Sequence, residues 1–113
     1  MDTDKLVKTL INSYFREYNK VKKLYEEYKK GRLNPKKTNE MKEDLQSIKK
    51  KVNYLLEQMN EKIKATSEIK DYNMEIYEQY KNLRGTLAMM NDEIAEIEKS
   101  MSREQNGEPN TNA

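Results

Sequence analysis

The chain has 113 residues, 37 % charged and 35 % apolar, and its 22 basic and 20 acidic side chains leave a net charge of +2. That length predicts one small domain, and the low net charge removes half of the signature of a disordered chain. Three glycines and two prolines are too few for a many-turned β fold, and the absence of Cys and His excludes disulfides, thiol nucleophiles, zinc–thiolate sites and the commonest general base.

From residue 4 to residue 30, Val7, Ile11, Tyr14, Tyr18, Val21, Tyr25 and Tyr28 recur in alternating steps of four and three. This is the spacing of a helix seam packed against another helix. Leu6, Leu10 and Leu24 widen the seam on one flank and Phe15 on the other, which predicts more than one neighbouring helix. Asp2, Thr3 and Asp4 supply capping and charge suited to its start, and Lys29 and Lys30 suit its end. Gly31 fits a left-handed C-cap. Residues 31–37 form the clear break, with Asn34-Pro35 as turn chemistry, Pro35 as the first residue of the next helix, and Thr38 as the other candidate cap.

A second seam follows in Met41, Leu45, Ile48, Val52, Leu55 and Met59. A third runs through Ile69, Ile76, Tyr80, Leu83, Leu87, Met90, Ile94, Ile97 and Met101. Both keep one heptad phase, and the seam positions between them, Lys62, Thr66 and Asn73, are polar. Two all-α architectures fit. One is an antiparallel three-helix bundle of coiled-coil type, with helices over 4–30, 38–64 and 67–103 and a turn at Ala65-Thr66-Ser67. Ser67 would then cap the third helix and Glu68 would sit in its first turn. The other folds the first helix on a single helix from 38 to 103, about 100 Å long at ~1.5 Å per residue. Similar helix lengths and the polar gap favour three helices; the unbroken phase and the lack of Gly or Pro from 36 to 84 favour one long helix. Gly85, between Leu83 and Leu87, costs about 1 kcal/mol relative to Ala and reads as a tolerated surface glycine, the sharper alternative being a site of close backbone approach by a partner. Residues 104–113 lack apolar periodicity and are expected to be a disordered tail.

Charge is unevenly spread. Residues 1–64 hold 17 basic and 10 acidic side chains, a net +7, and residues 65–113 hold 5 and 10, a net −5. The densest basic cluster is the elbow: Lys29, Lys30, Arg32, Lys36 and Lys37, with no acid from 28 to 39. Such a cluster suits an anion, either nucleic acid with Tyr25 and Tyr28 stacking on bases or an anionic membrane surface. The opposing reading is internal pairing, with Asp92, Glu93, Glu96 and Glu98 brought beside the elbow by an up-down-up bundle.

No segment approaches the ~20 apolar residues of a membrane span, and the N-terminus is too polar for a signal peptide, so an intracellular, cytoplasmic protein is expected. No residue set suggests catalysis, a cofactor or a metal. The reading that remains is a non-catalytic protein–protein interaction module: an adaptor, scaffold, assembly subunit or small helical chaperone that docks helix on helix. Its candidate contact residues are the third-helix seam, Leu83, Leu87, Met90, Ile94, Ile97 and Met101, then Tyr14 and Tyr18. The partner would be a second copy or a helical subunit. Nucleic acid at the elbow is the alternative. A peripheral membrane role is third, because the first helix carries Tyr where an interfacial helix carries Trp, Phe and Leu.

Overall fold

The computed structural model describes residues 3–105, and the side chains of 5–103. It is a three-helix bundle: α1 (Thr3–Lys29), α2 (Pro35–Ser67) and α3 (Met74–Gln105). Met1, Asp2, the side chains of Thr3 and Asp4, and the tail from 106 onward lie outside the described residues, so the first cap and most of the expected tail are not placed. Glu104 and Gln105, expected to belong to that tail, are the last residues of α3.

The elbow forms from its local chemistry. The Arg32 N–H donates to the Glu27 carbonyl at 3.0 Å and the Gly31 N–H to that of Tyr28 at 3.0 Å, which closes the last turn of α1. This paired geometry places Gly31 in the left-handed region, at φ +70°, where a Cβ would be strained. Asn34 then caps α2: its Oδ1 accepts from the Lys37 N–H at 2.8 Å, and Pro35 takes the first helical position, where no amide donor is needed. Thr38 is not the cap; its hydroxyl donates to the Asn34 carbonyl from inside the helix.

The second break lies further along than Ala65-Thr66-Ser67. α2 continues through Ser67, whose hydroxyl donates back to the Lys64 carbonyl at 2.8 Å instead of capping a new helix. The Glu68 N–H also donates to the Lys64 carbonyl, so Glu68 ends α2 and does not begin α3. Ile63, inside the expected range, carries the buried face of α2 one turn past Met59. The chain reverses over 68–73 with Asp71 in the left-handed region at φ 60°. Asn73 Oδ1 accepts from the N–H groups of Glu75 and Ile76 at 2.9 and 3.3 Å and so starts α3. A continuous 38–103 helix is therefore ruled out. Ile69, placed on a seam by periodicity, stands in the turn and is exposed.

The three seams close on one another. Val7, Ile11, Tyr18 and Val21 of α1 meet Met41 to Met59 of α2 and Leu87 to Met101 of α3 in one apolar cluster, with Leu33 of the elbow packed against it. α2 is the central helix, and both α1 and α3 pack chiefly on it. The result is an elongated body of 61 × 27 × 16 Å. The Tyr25 hydroxyl donates to Ser100 Oγ at 2.7 Å, so α1 and α3 run parallel and the end of α3 lies beside the elbow.

Candidate functional site

The residues first expected to receive a partner are occupied by the fold itself. Leu87, Met90, Ile94, Ile97 and Met101 are buried against α1 and α2, and Leu83 is half-buried on the same cluster. Tyr18 is buried and Tyr14 half-buried. The helix that this seam requires is the chain's own. A foreign helix would have to displace α1 or α2 to reach it, and the seam reads as core.

The Tyr18 phenol illustrates the interior. Its pKa lies above the ordinary value of 10.0, first because burial disfavours the phenolate, then because of the negative charge of Glu93 and the hydrogen bond between the two side chains. Tyr18 therefore ties α1 to α3 at a level where α3 presents its acids.

The elbow cations are exposed but only partly unpaired. Lys29 pairs with Glu26 at 3.1 Å, Arg32 with Glu27 at 3.9 Å and Lys37 with Glu40 at 3.9 Å. Among the described residues Lys30 and Lys36 make no ion pair. Among the described residues none of the α3 acids pairs with an elbow cation. Glu98 pairs with Lys49 of α2 at 3.0 Å, and Asp92, Glu93 and Glu96 make no ion pair among the described residues. Tyr25 and Tyr28 stack on each other, ring centroids 6.2 Å apart, with the Lys29 ammonium 5.0 Å from the Tyr25 ring. Their rings pack on the core cluster, which leaves less of them for a nucleic-acid base.

A feature that periodicity hid appears at the opposite end. Leu6 is 44 % exposed, Ile69 59 %, Met74 56 % and Ile76 37 %. Leu6 belongs to the first turns of α1, Ile69 to the reversal, and Met74 and Ile76 to the start of α3, so the topology places all four at one end of the bundle. Beside them the rings of Tyr72 and Tyr77 meet at 5.2 Å, with the Lys81 ammonium 5.2 Å from the Tyr77 ring. The signal available in the sequence was the polar gap itself: the turn that it marks takes Ile69 off any helix seam.

Among the described residues no three acids gather in a set that would hold a metal ion, and no helix is long and apolar enough to cross a membrane. No protein-family model, curated protein or solved structure matches the chain.

Proposed function

We propose that the chain is a non-catalytic docking module that holds a protein partner against the turn end of the bundle. The observation that carries this reading is the group of Leu6, Ile69, Met74 and Ile76, left exposed by a chain that closes its long seams on itself. Fully burying one such side chain is worth about 1.5–3 kcal/mol. With roughly half of each still in water, covering all four contributes on the order of 3–6 kcal/mol before ordering costs, enough to anchor a contact. Clustered exposed apolar groups on a charged surface are the mark of an interaction site.

The test is the double variant Ile69→Glu, Met74→Glu. Both side chains lie mostly in water, so circular dichroism should show unchanged helix content. The wild-type chain should retain a protein from its own source that the variant loses. Retention of the same protein by the variant, or retention of nothing by the wild type, would overturn the assignment. The elbow supports a second reading, contact with nucleic acid, on the strength of unpaired Lys30 and Lys36. It requires retention of DNA or RNA at low salt that falls steeply as salt is added, and that is lost when Lys29, Lys30, Arg32, Lys36 and Lys37 are reversed in charge.

A further inference from the structure

The flank shared by α1 and α3 has its own pattern. Two contacts show which sides face each other: Tyr25 with Ser100 and Tyr18 with Glu93. Positions three and four apart share a helix face. Traced back from Ser100, the α3 line bordering α1 is Glu75, Gln79, Asn82, Thr86, Met89, Glu93, Glu96 and Ser100, again in steps of four and three. On α1, Glu17 reaches the other way, to Lys51 of α2 at 3.1 Å. The opposite flank, next to Tyr18, carries Lys8, Phe15 and Lys22 at intervals of seven.

This face is organised by charge. α1 holds 7 basic and 4 acidic side chains, net +3, and α3 holds 4 and 7, net −3. Among the described residues Lys8 and Lys22 on α1 and Glu75, Glu93 and Glu96 on α3 make no ion pair. Between the charges lie two charge-free runs, 9–15 on α1 and 85–91 on α3. Tyr25 and Ser100 are 75 positions apart, and that offset sets the two runs side by side. In the middle, Met89 is 57 % exposed, and one turn earlier Gly85 has nothing within 4 Å of the place a Cβ would take. Nothing inside the monomer requires a glycine there, yet it lowers helix stability.

We propose that two copies of the chain pair through this face about a two-fold axis parallel to the helices, with α1 of each copy on α3 of the other. The charges select that axis. A two-fold running across the helices would set the basic α1 against itself and the acidic α3 against itself. The parallel axis sets Lys22 beside Glu96 of the second copy, twice, and lays each Gly85–Met89 centre against the charge-free run 9–15 of the other copy's α1. The size is adequate: a face about 40 Å long and about 20 Å wide gives on the order of 800 Å² per copy, the usual share of a specific interface. The occupant is a second copy because the face complements itself and carries equal and opposite helix charges. It does not involve the apolar turn end.

The test uses the whole chain and its mass in solution by sedimentation or light scattering across a concentration series. The wild type should pass from the 13.5 kDa chain to twice that mass. Lys22→Glu and Glu96→Lys should each weaken pairing about tenfold, since each reverses two symmetry-related contacts. Mixed in equal amounts, the two variants should regain pairing. Both contacts of the mixed dimer then join opposite charges again, one as in the wild type and one with the signs exchanged. Circular dichroism should be unchanged throughout. A wild type of single-chain mass at every concentration, a dimer indifferent to both reversals, or a mixture no heavier than its components would each overturn the proposal. Ile69→Glu with Met74→Glu should leave the dimer intact, so failure of this inference is separable from failure of the docking function.

Discussion

Replacing Asn73 tests the chain reversal that separates α2 from α3. Its side chain accepts two hydrogen bonds from the first turn of α3, at 2.9 Å from Glu75 and 3.3 Å from Ile76, while its carbonyl accepts from Tyr77 at 3.0 Å. Asn73→Ala keeps the carbonyl and removes both side-chain bonds, at a cost of about 1 kcal/mol, whereas Gly at a cap costs only a few tenths. In an uninterrupted helix the order would invert: Ala would be better than Asn by several tenths, and Gly would be the worst of the three by up to ~1 kcal/mol relative to Ala. Urea unfolding followed by circular dichroism reads the difference. With a slope of about 1–3 kcal/mol per molar urea, the Ala variant should unfold roughly 0.5 M earlier than wild type, with the Gly variant between them. An Ala variant more stable than the Gly variant would refute the reasoning, because no capped helix start would then exist at residue 73.

Other consequences are as direct. Gly85→Ala should raise stability by about 1 kcal/mol in the monomer, since a Cβ there meets nothing and the helix gains propensity; a loss in thermal unfolding would contradict the open space at that position. Leu87→Ala should cost about 2–5 kcal/mol, because Leu87 is fully buried at the meeting of the three helices, and a loss under 1 kcal/mol would mean the seam is not core. Tyr18 makes stability depend on alkaline pH. Its phenol has a raised pKa in the fold, so its contribution is fully present below the unfolded value of about 10 and is lost as pH rises through the folded value. Denaturation series should therefore show Tyr18→Phe losing less stability than wild type on crossing about pH 10; equal losses would remove Tyr18 from the account.

Local chemistry made the elbow legible. Gly31, Asn34 and Pro35 each satisfy a backbone requirement within a few residues, and all three do in the structure what their types imply. The three seams were legible for the same reason, since spacing alone decides which side chains share a helix face. The second break was harder. Its marker, the polar positions Lys62, Thr66 and Asn73, was visible, but Ser67 and Asn73 are both good caps. The Ser67 hydroxyl turns back to the Lys64 carbonyl inside α2, while Asn73 Oδ1 takes the first N–H groups of α3, a choice that residue type alone does not make. The candidate contact surface was hidden by the same logic. Periodicity shows that Leu87 or Ile94 needs a covering helix without saying whose, and three helices of similar length proved sufficient to cover one another. Ile69 and Ile76 keep the phase of a seam, yet Ile69 stands in the reversal and Ile76 at the start of α3, and both are exposed.

α3 folds back beside α1, so that its seam is covered from within the same chain. The chain has no cysteine, so two introduced cysteines, Lys30→Cys and Lys99→Cys, would carry the only spin labels. Tyr25 touches Ser100, so the label-to-label distance should fall within about 25 Å, two helix diameters and the label tethers together. A distance near 90 Å, as ~1.5 Å per residue along an unbroken helix requires, would contradict it.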